Sequence, residues 1–203
     1  MYDRCVENVT AFILAGGKSS RMGADKAFLE LGGRTLLVRA LEVVGKVTPQ
    51  VRVLGDKNKF AAFGTVVEDV YPECGPLGGI HSALMSSATD FNLMLAVDLP
   101  FIGPEFLRYL ISEAESSKAV VTVPRSGGVF QPLCAVYRKK FWEVAERALR
   151  ARKNKIGALF GEVKTHVLEE TDLSKAGFGT GIFRNLNTPA EWEEAKVEFE
   201  KKS

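Results

Sequence analysis

Histidine is almost missing from this chain: two in 203 residues, His81 and His166, far apart in the sequence. Neither takes a catalytic role on sequence grounds, although His81 follows a glycine-rich turn from which a ligand is within reach. Cysteine is nearly as scarce. Cys5, Cys74 and Cys134 are widely separated and odd in number, with no C-x-x-C pair. That excludes a cysteine zinc site and a disulfide framework, and it suits reduced thiols in a cytosolic protein. No apolar run reaches the length of a membrane span, and the opening "MYDRCVENVT" has no signal-peptide core. A cytoplasmic protein without membrane contact is expected. An excess of one charge is also missing. Lys and Arg total 27 against 25 Asp and Glu, a net charge of +2. A dedicated nucleic-acid binder would show a dominant basic face. A small anionic ligand needs only a local cluster of cations, so it stays open. Internal repeats, low-complexity segments and linkers are lacking too. With 46% hydrophobic and 26% charged residues, one domain over residues 1–203 with a sizeable core is expected.

What is there alternates. Short apolar runs predict strands at Thr10–Ala15, Val51–Leu54, Val66–Asp69, Phe91–Val97, Ala119–Val123, Leu133–Tyr137 and Thr165–Leu168. Between them, helical spacing of apolar residues marks Thr35–Lys46, Leu77–Ser87, Glu105–Ala114, Phe141–Leu149 and a short piece near Lys155–Phe160. Gly127-Gly128 reads as a turn, and the G-x-G-x-G at Gly177, Gly179 and Gly181 as a loop. The last helix is announced by "NTPAEW": Thr188 as N-cap, Pro189 at N1 and Glu191 at N3 form a capping box. Doubly buried strands alternating with helices predict an α/β/α three-layer sandwich with a mostly parallel sheet.

The most informative stretch is "AFILAGGKSSRMGADKAFLELGG", residues 11–33. A buried strand ends on Gly16-Gly17, and Lys18, Arg21 and Lys26 follow at once. In such sheets ligands sit outside the carboxyl ends of the strands. Glycines there let backbone N–H groups approach an anion without a Cβ in the way. Arg offers a planar fork for phosphate oxygens and Lys a mobile point charge. The combination reads as a triphosphate cradle rather than a solvated turn. It is not a P-loop, because the required first glycine falls on Phe12. It is not the dinucleotide fingerprint either, because Gly16 is followed by Gly17 and Lys18.

"LAGGKSSRMGADKAFLELGG" closely resembles the L-A-G-G-x-S-x-R-M-G-x-D-K signature of the molybdenum cofactor guanylyltransferase family. "VVEDVYPECGPLGGIHSAL", "AVDLPF" and "FRNLNTPAEW" are similar to later segments of that family, in the same order. The resemblance implies a Rossmann-like nucleotidyltransferase fold. It also implies transfer of GMP from GTP to the terminal phosphate of molybdopterin, with release of pyrophosphate. Two anions must meet in such a reaction, so neutralising charge is the main task.

The resemblance further implies roles for individual residues. Arg21 and Lys26 contact the phosphates and take up charge developing on pyrophosphate. Leu14, Ala15 and Gly16 meet the nucleotide through their backbone, and Asp69 and Gly78 lie near base and ribose. Asp98, at the carboxyl edge of an apolar strand, is the expected Mg²⁺ ligand, since that ion takes one or two carboxylates plus phosphates and waters. Asn185 and Asn187 line the acceptor side. Bland alternatives stand beside three of these. Asp98 could cap the helix starting near Pro104, Asp69 could be a turn acid before Pro72, and Asn187 could shape the turn before Thr188. Asp25 either holds a cation or caps the next segment. Gly55-Asp56 stands where the family often carries an Asn-type contact, which leaves that base contact unassigned. The cations Arg147, Arg150, Arg152, Lys153 and Lys155 are either a solvated helix end or an attractor for the acceptor or for a cofactor-carrier or molybdoenzyme chaperone protein.

Three other activities compete. A cytidylyltransferase acting on the same cofactor typically has L-A-A-G where this chain has Leu14-Ala15-Gly16-Gly17. A sugar-phosphate nucleotidyltransferase often adds a long C-terminal domain, for which 203 residues leave little room. A catalytically silent GTP-binding subunit would have no need of Arg21, Lys26 and Asp98 together.

Overall fold

The computed structural model of the chain describes residues 6–16, 25–186 and 188–200. In chain order these form β1 (Val9–Leu14), β2 (Glu30–Leu31), β3 (Arg34–Thr35), α1 (Leu36–Gly45), β4 (Val51–Leu54), α2 (Lys57–Phe60) and β5 (Thr65–Val67). There follow α3 (Pro76–Ser86), β6 (Phe91–Ala96), α4 (Pro104–Ser116), β7 (Val121–Ser126), β8 (Val129–Phe130), β9 (Cys134–Arg138) and α5 (Phe141–Arg150). The chain closes with α6 (Ile156–Leu159), β10 (Thr165–Leu168), α7 (Glu170–Lys175) and α8 (Pro189–Glu200).

The main sheet runs β10-β7-β9-β6-β1-β4-β5, with β8 paired to β7. β1 is parallel to both of its neighbours, β4 and β6. The β4–β5 and β7–β10 pairs are parallel as well. Only β9 and the short β8 run against their neighbours. Two consecutive antiparallel pairings leave β7 parallel to β6, so the carboxyl ends of β6 and β7 share one edge of the sheet.

The central strands are apolar throughout because both of their faces are covered. Val9, Ala11 and Ile13 of β1 point into one core with Leu37 and Val44 of α1 and Phe106 and Leu110 of α4. Phe12 of the same strand points into the other, with Leu77 and Ile80 of α3 and Ala145 of α5. The period-2 alternation of a strand therefore divides one sequence between two cores, and three layers result. α8 is secured as its sequence predicts. The Thr188 N–H donates to Glu191 Oε2 at 2.8 Å and the Glu191 N–H donates to Thr188 Oγ1 at 3.2 Å.

The topology also fixes where a ligand can bind. From β1 the chain winds to one side through β4 and β5, then returns to lay β6 on the other side. The strand order reverses between β1 and β6, and in open α/β sheets the crevice outside the carboxyl ends at such a reversal receives the ligand.

Candidate active site

At that reversal the end of β1 is clamped on both sides. The Val97 N–H donates to the Leu14 carbonyl at 3.1 Å. The N–H groups of Ala15 and Gly16 both donate to the Leu54 carbonyl, each at 3.1 Å. A Cβ on Gly16 would stand 3.3 Å from the Cα of Gly55, so glycine here lets the ends of β1 and β4 close up. The amides of Ala15 and Gly16 are thus spent inside the protein. Any nucleotide contact from this stretch comes from other atoms.

Lys26 opens a short 3₁₀ turn, Lys26–Phe28, that Asp25 caps by accepting from the Ala27 N–H at 3.2 Å. Asp25 also pairs with Lys59 at 3.0 Å, so it both caps and holds a cation. The Lys26 ammonium reaches across the crevice to Asp98 Oδ2 at 3.3 Å. The two residues lie 72 positions apart, yet both side chains stay partly open, at 19% and 26% exposure. Asp98 sits in the turn just beyond β6. It is not a helix cap: the N-cap of α4 is Gly103. Among the described residues no group of three or more His, Cys, Asp or Glu could hold a metal. One partly exposed carboxylate nevertheless fits an ion that takes most of its ligands from phosphates and water.

Asp69 follows β5 and stands against the first turns of α3. A Cβ added to Gly79 would lie 3.6 Å from Asp69 Oδ1, 3.8 Å from Leu54 and 3.9 Å from Leu14. Asp69 is exposed along its outer side, but the protein packed about its carboxyl strips away part of its water and raises its pKa. Gly78 faces elsewhere. A Cβ there would strike the Tyr71 carbonyl at 2.7 Å, so Gly78 admits the 68–75 loop onto α3. Gly79, which the sequence did not single out, is the glycine turned to the strand ends.

Asn185 is exposed one residue before Leu186, whose N–H donates to the Asp98 carbonyl at 3.4 Å. The segment that carries Asn185 is thereby fastened to the turn that carries Asp98. Arg21, with Lys18, lies outside the described residues, as does Asn187. Asp56 accepts from the Asn58 N–H at 2.8 Å and caps α2. Of the cationic group near the end of α5, Arg150 pairs with Glu146 and Arg147 with Glu162. His81 is buried in α3 with neither ring nitrogen hydrogen-bonded, edge-on to Tyr71 and Trp142.

Residues 11–167 match the model of the MobA-like NTP transferase domain. The chain belongs to that family. It is therefore a nucleotidyltransferase. A probable molybdenum cofactor guanylyltransferase of Pelotomaculum thermopropionicum is 38% identical over 190 residues, covering 93% of this chain and 92% of its own. A molybdenum cofactor guanylyltransferase of Desulfosudis oleivorans is 31% identical over 195 residues, covering 95% and 96%. Among solved structures, molybdopterin-guanine dinucleotide biosynthesis protein A of Archaeoglobus fulgidus superposes with a TM-score of 0.83 at 26% identity, covering 95% of this chain and 99% of that one. The transferase shares its fold more widely. A CMP-2-keto-3-deoxy-manno-octonic acid synthetase superposes at 0.75 with 15% identity.

Proposed function

We infer that the protein transfers GMP from GTP to molybdopterin, forming the guanine dinucleotide form of the molybdenum cofactor and releasing pyrophosphate. One domain spanning residues 1–203 carries the reaction, in the cytoplasm. The observation that bears most weight is the Lys26–Asp98 pair at the reversal point, in a chain alike over most of its length to guanylyltransferases. Leu14, Ala15, Gly16 and Asp69 belong to the nucleotide side, with Gly79 rather than Gly78 turned toward them, and Asn185 and Asn187 belong to the acceptor side.

Lys26 is a cation already held at the crevice, and Arg21, five residues earlier in the sequence, adds a second. Their task is to neutralise the triphosphate as negative charge moves onto the leaving pyrophosphate. Asp98 would hold Mg²⁺, which when bound screens the phosphate oxygens from the incoming acceptor phosphate. When the triphosphate arrives, Lys26 exchanges its contact with Asp98 for phosphate oxygens. Both side chains are partly solvated, so the exchange costs little.

A pyrophosphate-release assay over the four nucleoside triphosphates, with and without molybdopterin, tests this. Release is expected with GTP and Mg²⁺ and to depend on the acceptor. Equal turnover with CTP would move the protein to the cytidylyltransferase reading. GTP binding without turnover would make it a silent subunit.

A further inference from the structure

We propose that the open groove between the β7–β8 hairpin and residues 180–184 is the subsite for the pterin ring of the acceptor, with Glu170 and Gln131 reading its polar edge and Val129 covering its face. This deepens the guanylyl-transfer reading and rests on it. The groove is open to solvent and offers about 640 Å³ of space. It lies at the carboxyl end of β7, which runs parallel to β6 with β9 between them. With strands about 4.8 Å apart, the groove therefore stands roughly 10 Å along the edge from Asp98. It is on the side away from the glycine contacts of β1 and β4. An acceptor whose phosphate attacks beside Asp98 has its ring system at that remove.

The groove is also mechanically joined to the crevice. The guanidinium of Arg184, in its wall, lies 4.2 Å from the ring centroid of Phe101, three residues beyond Asp98, and donates to Glu198 of α8 at 2.6 Å. Two residues on, Leu186 binds the Asp98 carbonyl. The hairpin wall is fixed as well. Glu169 takes a two-pronged contact from Arg125, and the Gly127 N–H donates to Glu170 Oε1.

The lining suits a pterin. A 2-amino-4-oxo ring presents adjacent N–H and NH₂ donors beside a carbonyl acceptor. A carboxylate accepts from such a donor pair, and a side-chain amide serves the carbonyl. Glu170 has its second oxygen to give, and among the described residues the Gln131 amide is bonded only to the nearby Val129 carbonyl, at 3.4 Å. Val129 is 64% exposed at the lip, an apolar side chain that a flat ring would cover, and Phe183 closes the floor.

Molybdopterin and GTP are titrated separately by calorimetry against wild type, Glu170→Gln and Val129→Asp. Glu170→Gln keeps an oxygen for the Gly127 N–H, and an unchanged affinity for GTP reports an intact fold. At least a tenfold weaker affinity for molybdopterin is expected in each variant, with GTP unaffected. Equal molybdopterin affinity in all three proteins overturns the groove assignment, even where wild type still transfers GMP. Conversely, Glu170-dependent ring binding by a wild type that transfers no GMP keeps the groove and overturns the reaction reading.

Discussion

Gly78 and Gly79 are neighbours in one helix, yet alanine at the two positions should act in opposite directions. Alanine is favoured over glycine by up to about 1 kcal/mol in a helix, the full amount applying to its interior and less to a first turn such as this one. At Gly79 nothing offsets that gain. The new methyl would make ordinary contacts of 3.6–3.9 Å with Asp69, Leu54 and Leu14. Gly79→Ala should therefore raise the Tm by up to about 2–4 °C, the scale for 1 kcal/mol in a domain of this size. At Gly78 the methyl meets a backbone carbonyl, Tyr71 O, at 2.7 Å, and the 68–75 loop has to move. Overpacking of this kind costs about 1–3 kcal/mol, so Gly78→Ala should be a net loss of up to about 2 kcal/mol. Function should divide the other way. The Gly79 methyl fills space between Asp69 and the ends of β1 and β4, where the nucleotide is proposed to lie, so GTP affinity should fall while stability rises. Scanning calorimetry and a GTP titration on both variants decide it. A Gly79→Ala protein that is more stable and binds GTP as wild type does would remove the base and ribose from this turn. An unchanged Tm for Gly78→Ala would show that the helix can step away from the loop.

Lys26→Ala should lower kcat by two to three orders of magnitude, about 2–4 kcal/mol of transition-state stabilisation, and Asp98→Ala should abolish turnover with the fold intact. A Lys26→Ala enzyme with only a raised KM for GTP, or an Asp98→Ala enzyme near wild type under saturating Mg²⁺, refutes those roles. Burial raises the Asp69 pKa, so the folded state binds that proton more tightly than the unfolded chain, and stability falls as pH rises through the carboxylate range. Asp69→Asn should raise the Tm at pH 7, lose that gain in acid and weaken GTP binding; an unchanged Tm at pH 7 contradicts it. His81 is shifted the other way, its pKa lowered first by burial and also by Arg150, with Glu146 opposing. Stability should then drop as pH falls below the ordinary imidazole range, and His81→Phe should abolish that drop at little cost, since both ring nitrogens are unbonded. A wild-type acid profile that survives in His81→Phe assigns it to another group.

The fold was readable where burial writes a pattern. β1 and β6 are buried on both faces and appear as unbroken apolar runs, and α1, α4 and α5 each bury one stripe. The unread elements are short and carry little apolar signal. α7 buries only Leu173 and is held by polar contacts such as Glu169 N–H to Asp172 at 3.2 Å. The β2–β3 hairpin has two residues per strand, and its one cue was the Gly32-Gly33 pair, both at positive φ. The antiparallel course of β9 had a sequence cause that composition hides. No helix stands between Ser126 and Cys134, and a parallel return needs a crossover.

The site divides along the same line. Asp98 could be found because a carboxylate ending an apolar strand is anomalous, and Lys26 because it follows a glycine turn. Their contact could not be found, because it depends on a 3₁₀ turn capped by Asp25 standing across from the end of β6. Which glycine of "GPLGG" faces the crevice was hidden for a similar reason. Successive helical residues point about 100° apart, so adjacent glycines serve different neighbours, and only the packing of α3 says which serves which. The motif marks where the backbone must come close. The Tyr71 carbonyl accounts for one of its glycines within the protein itself, while Gly79 has room for a methyl and no packing that forbids one. A glycine that the fold does not require is the one whose presence asks for a ligand.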